Sequence, residues 1–206
     1  MRTNPRHSEH LANIWRADFT APRAIFRALM ARTVLQFPDK RLTQVSEPID
    51  EVSDEIRALA TEMCEIMYDE PGVGLAAPQV GLAIRLIVVD TEWNADGGER
   101  NPLILVNPEL SEHDGKVLWT EGCLSVPDFE AEVERAERVL LRAEDLDGKE
   151  VEIRAEGLQA VCFQHEVNHL DGILFIDLLS RLKRSRYVLR RKKELKRESE
   201  EAGSAA

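Results

Sequence analysis

The stretch Leu158-Gln159-Ala160-Val161-Cys162-Phe163-Gln164-His165-Glu166-Val167-Asn168-His169-Leu170 reads as one helix whose apolar stripe runs into two histidines. Leu158, Val161, Cys162, His165 and His169 share a face, and Gly172 supplies a stop. Residues four apart on a helix lie one turn above each other, so both imidazoles can grip one metal ion while Glu166 projects beside it. The plain alternative is a helix with two histidines and a surface glutamate, because a five-residue pattern also arises by chance. A third ligand decides the kind of site. Endopeptidases of the His-Glu-x-x-His-x-x-Gly-x-x-His type need histidine at 175, where this chain has Phe175. A downstream glutamate ligand would have to be Glu194, inside a basic tail. Upstream, Glu121-Gly122-Cys123-Leu124-Ser125 sets a cysteine among turn-forming residues, free to reach the helix as a thiolate. One thiolate and two imidazoles leave a fourth position open for water. Alone, Cys123 reads as readily as a buried, inert thiol.

Outward from that helix the chain reads as an α+β domain with antiparallel sheet. A helix is expected over 53–68, with Ser53 as N-cap, Asp54 and Glu55 in the first turn, and Ile56, Leu59, Ala60, Met63 and Met67 at helical spacing. Residues 85–90 and 103–107 are short runs of Ile, Leu and Val bounded by Asn, Asp, Gly or Pro, and read as strands. Residues 139–144 and 150–155 flank Asp147-Gly148 and read as a hairpin. A last helix lies within 181–200, dense in Arg and Lys.

Charge divides the 206 residues into three parts. Residues 1–33 carry a net +4, residues 34–180 a net −21 and residues 181–206 a net +6. An N-terminal extension, an acidic catalytic domain over 34–180 and a basic C-terminal helix and tail are therefore expected. The extension has six arginines and no apolar core of the secretory kind, which leaves a disordered arm, an organellar transit segment or sequence upstream of the true start. No apolar run is long enough to cross a bilayer, and the three cysteines Cys64, Cys123 and Cys162 suit a reducing cytosol better than a disulfide framework. The expected location is cytoplasmic.

Gly72-Val73-Gly74-Leu75-Ala76-Ala77-Pro78-Gln79 first looks like a dinucleotide fingerprint, but the order of elements is reversed, with a helix before it and a strand after. Together with EGCLS at 121–125 and QHEVNH at 164–169, this segment resembles the three signature motifs of the peptide deformylases, and the resemblance extends over about residues 34–184. It implies antiparallel sheets packed around the motif helix, a bound divalent metal, and N-formylmethionyl nascent peptides as substrate. It makes Cys123, His165 and His169 the metal ligands and Glu166 the acid/base. Gln79 and the backbone N–H of Leu124 become the oxyanion donors. The backbone around Val73, Gly74 and Gly122 would take the peptide as an added strand, and Val73, Leu158, Val161 and Cys162 would line the methionine pocket, although core packing explains the last three equally well. The resemblance favours iron(II), with zinc, nickel or cobalt as alternatives, and a C-terminal helix that docks on the ribosome. It also makes Met30 the functional start.

Two positions depart from the pattern. Most members have Asp where this chain has Asn168, so an ion pair behind the ligands is expected to be lost; several have Arg or Tyr where Glu130 falls, which removes a contact to the peptide. Two competing readings are an endopeptidase acting on unformylated peptides, and a silent homologue serving as a ribosome-associated binding protein; the second is weakened because the ligands, Glu166 and Gln79 are all present.

Overall fold

A computed structural model describes residues 32–93 and 98–204. The expected extension and the Met30 start lie outside these residues, apart from residues 32 and 33. The first helix, α1 (Asp54–Asp69), buries the periodic set Leu59, Ala60, Met63 and Met67 together with Cys64 and Tyr68. Ser53 stands at its N-cap, yet its hydroxyl donates to Glu55 Oε2 at 2.6 Å instead of accepting a helix N–H.

Seven strands follow: β1 (Gly74–Ala76), β2 (Leu86–Val89), β3 (Leu103–Asp114), β4 (Val117–Cys123), β5 (Val126–Arg135), β6 (Arg138–Glu144) and β7 (Glu150–Glu156). Five form an antiparallel sheet in the order β1-β2-β3-β6-β7, while β4 and β5 pair only with each other. The short run Leu86-Ile87-Val88-Val89 is buried throughout because its sheet is covered on both faces. Leu86 and Val88 pack with Met63 and Met67 of α1, whereas Ile87 and Val89 pack with Cys162 and Phe163 of α2 (Gly157–Leu170). The motif helix is thus central, as expected.

One strand runs well beyond its expected boundary, and one hairpin was not expected. β3 continues past Asn107-Pro108 to Asp114 because the apparent breaker is a bulge: Asn107 takes φ +51° and its side-chain amide both donates to and accepts from the Ile49 backbone at 2.8 Å. The hairpin of β4 and β5 was not expected from the sequence at all. At the end of α2, Gly172 takes φ +72° while Ile173 N–H returns to Asn168 O at 2.9 Å, and a Cβ on Gly172 would lie 2.7 Å from Thr43 O. Only glycine fits that stop.

The basic helix α3 (Arg181–Ser204) is anchored, not loose. Tyr187 is 2 % exposed, with its ring 4.8 Å from that of Phe129, and Arg191 donates to Gln36 Oε1 at 2.9 Å and to Phe37 O. Cys64, Cys123 and Cys162 are free thiols. Among the described residues, no helix is long and apolar enough to cross a membrane.

Candidate active site

Helix α2 and the last residue of β4 bring three candidate ligand atoms together. His169 Nε2 lies 3.2 Å from His165 Nε2 and 3.2 Å from Cys123 Sγ, and all three atoms fall within 4.8 Å of one another. Tetrahedral coordination by imidazole and thiolate calls for edges of about 3.3–3.6 Å, so the donor set fits a divalent cation with little adjustment. Burial and the neighbouring charges of His165 and Arg135 hold His169 well below its usual pKa, in the neutral form that ligates metal. Burial pulls His165 down as well, but Cys123, Glu121 and Glu166 outweigh it and raise its pKa. A cation would compete for the site that this proton stabilises.

His165 is oriented from behind. Its Nδ1 lies 2.7 Å from Glu121 Oε2, and a carboxylate only accepts, so Nδ1 carries a proton and Nε2 is the nitrogen turned to the ligand cluster, where a bound cation would displace its proton. Burial would raise the Glu121 pKa, yet hydrogen bonds from Arg135 and His165 overcome it and hold the carboxyl below its usual range. Arg135 grips Glu121 with two bonds, Nε to Oε1 at 2.6 Å and Nη2 to Oε2 at 3.0 Å, and its Nη1 donates to Asn168 Oδ1 at 2.6 Å. Asn168 therefore keeps a bond to the arginine without a charge, and Glu121 alone balances Arg135 within this chain of contacts.

Glu166 is 4 % exposed and its Oε2 has no hydrogen-bond partner among the described residues. Burial raises its carboxyl to about 7, a value suited to proton transfer at neutral pH. Gly74 makes room for it: a Cβ there would collide with the Glu166 carboxylate and come within 2.9 Å of Cys162 Sγ. Gln79 is fixed in one orientation, because its Oε1 accepts from Ala76 N–H at 2.8 Å. Its Nε2 then reaches Ser125 Oγ at 3.2 Å and faces Cys123 Sγ at 3.7 Å. Beside it, the Leu124 N–H has no acceptor among the described residues.

This arrangement of cysteine, two histidines and a buried glutamate lies inside a match to the polypeptide deformylase family model that spans residues 31–185. The chain belongs to the peptide deformylase family. The peptide deformylase of Alkalilimnicola ehrlichii is 52 % identical over 161 residues, 78 % of this chain and 88 % of that protein. That of Hydrogenovibrio crunogenus is 48 % identical over 162 residues, 79 % of this chain and 94 % of that protein. The crystal structure of a peptide deformylase from Legionella pneumophila superposes with a TM-score of 0.73 at 42 % identity, covering 80 % of this chain and 96 % of that one. Deformylases are metal hydrolases that remove the N-formyl group from nascent peptides, and that is the reaction of this chain.

A deformylase must also seat a peptide, and two free strand edges flank the ligands. β1 ends the five-stranded sheet and β4 the two-stranded one. Asp90 N–H donates to Val73 O at 2.9 Å, which makes Gly74 and Val89 a non-hydrogen-bonded pair, so the Gly74 N–H and C=O point out from the free edge. The Val73 carbonyl is thereby occupied, and it also lies 3.6 Å from the Cys162 thiol, whose pKa burial pushes up. The Val73 side chain is half-buried and packs against the cluster that holds Cys162 and Phe163. Gly122 is exposed on β4, Leu158 is 37 % exposed, and Val161 and Cys162 are buried.

Sequence reasoning missed Glu121, Arg135 and Ser125. Glu121 carried a signal, since it precedes Cys123 by two residues on a strand and so shares its face. Arg135, fourteen positions away from Glu121 along the chain, carried none.

Proposed function

We propose that Cys123, His165 and His169 hold iron(II) in this deformylase and that Glu166 moves the proton. The observation that carries the proposal is the convergence of the three ligand atoms next to a buried, proton-ready carboxyl. Bound there, a divalent cation supplies a Lewis acid that makes water acidic enough to ionise near neutral pH. Glu166 accepts the proton of the attacking water and delivers it to the amine as the bond between formyl carbon and nitrogen breaks, leaving formate and a free N-terminus. Gln79 Nε2 gives one hydrogen to Ser125 Oγ and turns the other, in a long contact, towards Cys123 Sγ; shifted from the sulfur, that hydrogen donates with the Leu124 N–H to the oxygen that becomes negative. The peptide lies between the outward groups of Gly74 and the edge at Gly122, where it pairs through its backbone. Val73, Leu158, Val161 and Cys162 receive the methionine side chain.

Residues 34–180 form the catalytic domain in this reading, residues 1–33 an extension, and residues 181–206 a basic helix and tail. We place the enzyme in the cytoplasm, where the helix meets the ribosome. Arg184 pairs with Asp177, Arg190 with Glu194, Lys196 with Glu200 and Arg197 with Glu201, and Arg191 is buried, so Arg181, Lys183, Arg186, Lys192 and Lys193 are the exposed cations left for phosphate. Each contact would contribute roughly 0.7 to 0.9 to the slope of log affinity against log salt. Co-sedimentation with ribosomes should fall in a Lys192→Glu/Lys193→Glu variant; unchanged sedimentation would remove this role.

The function is tested by anaerobic purification, metal analysis and assay of formate release. Formyl-Met-Ala-Ser should yield formate while the unformylated peptide stays uncut, and cleavage of the latter would favour an endopeptidase.

A further inference from the structure

We infer that Glu130 makes this enzyme favour formylated peptides with cationic side chains directly after the methionine. The inference rests on the proposed seating of the peptide against Gly122. That glycine is exposed, stands next to Cys123 and lies on β4, whose second edge has no strand partner among the described residues. A Cβ built on Gly122 would lie 3.5 Å from Glu130 Cγ and 3.8 Å from Glu130 Oε1. A peptide with its formyl end at Cys123, His165 and His169 passes this point with the residues that follow its methionine.

Among the described residues, no cation pairs with this carboxylate. Alternation along β5 turns Phe129 and Ala131 towards the core beneath α3 and leaves Glu130 and Glu132 on the outer face. Glu130 makes no ion pair among the described residues, whereas Glu134 on the same face is held by Lys116 at 2.6 Å. Arg190, which reaches this end of the hairpin at Asp128, is already engaged. It donates to Asp128 O at 2.6 Å, pairs with Glu194 at 3.4 Å, and spreads over the rings of Phe129 and Tyr187. The lip of the site therefore presents an unpaired negative charge, within a stretch whose net charge is already −21. A lysine on the peptide is attracted and a glutamate repelled. Both groups stay in water, so the preference is modest, about 2- to 5-fold in kcat/KM, and salt screens it.

The test uses the metal-loaded full chain and three C-terminally amidated peptides, formyl-Met-Lys-Lys, formyl-Met-Glu-Glu and formyl-Met-Ala-Ser. At low salt the wild type should hydrolyse the lysine peptide with about 2- to 5-fold higher kcat/KM than the glutamate peptide, chiefly through KM, and high salt should shrink the ratio. Glu130→Gln should bring the ratio close to one and Glu130→Arg should invert it. A ratio unchanged by Glu130→Gln, or indifferent to salt, would overturn the inference while hydrolysis of formyl-Met-Ala-Ser left the proposed function standing. Failure to release formate from any of the three would overturn both.

Discussion

Glu166 ties the stability of the metal-free chain to pH. Its carboxyl moves from the ordinary 4.5 to about 7 on folding, because burial disfavours the charge. A raised pKa means that the folded chain holds this proton longer than the unfolded one. The associated stability is complete below about pH 4.5 and is lost as pH rises through about 7. Removing the charge should therefore help most in alkali: Glu166→Gln is expected to stabilise the chelated protein by on the order of 3 kcal/mol above about pH 8, and much less near pH 5. Urea unfolding at the two pH values checks this, and equal effects would contradict it. Gly74 gives a second prediction at this scale. Its missing Cβ is the space of the Glu166 carboxylate, so Gly74→Ala should retain bound metal yet lose at least about 100-fold in formate release. Arg135→Met gives a third, since it strips Glu121 of its buried counter-charge. A loss of about 3–5 kcal/mol in stability and of 10- to 100-fold in metal affinity is expected, read by denaturant titration and by competition with a chelator.

Among the elements, α2 was legible because a helix writes its contacts locally: His165 and His169 meet through a spacing of four, and Cys162 and Phe163 sit on the face that meets the sheet. The β4–β5 hairpin was not, although Phe129, Ala131, Val133 and Arg135 alternate with Glu130, Glu132 and Glu134. The acidic face hides the period, and β4 has Leu118 outside, 65 % exposed. The network Glu121–Arg135–Asn168 joins two strands of that hairpin to α2, and such a pairing has no local spacing to betray it. Helix α3 was read correctly as helical and basic, but its sparse apolar residues gave no hint that Tyr187 completes a core cluster with Val126, Val133 and Phe175. Tyr187→Ala should cost about 3 kcal/mol or more in denaturant unfolding. Charge changes on the exposed side of α3 are for that reason a cleaner test of docking than removal of the helix.

At the scale of the molecule, two sheets and a central helix meet at one point. The motifs named residues of the candidate site, and the fold adds what they lacked: a strand edge at β4, an oriented His165, and a buried place for Glu166. We propose that this geometry separates metal holding from proton transfer. The direct measurement is formate release from formyl-Met-Ala-Ser alongside metal content, for wild type, Glu166→Ala and Cys123→Ala. Glu166→Ala should keep its metal and lose at least about 100-fold in rate, while Cys123→Ala should lose both. Glu166→Ala with activity within about tenfold of wild type and full metal content would contradict it.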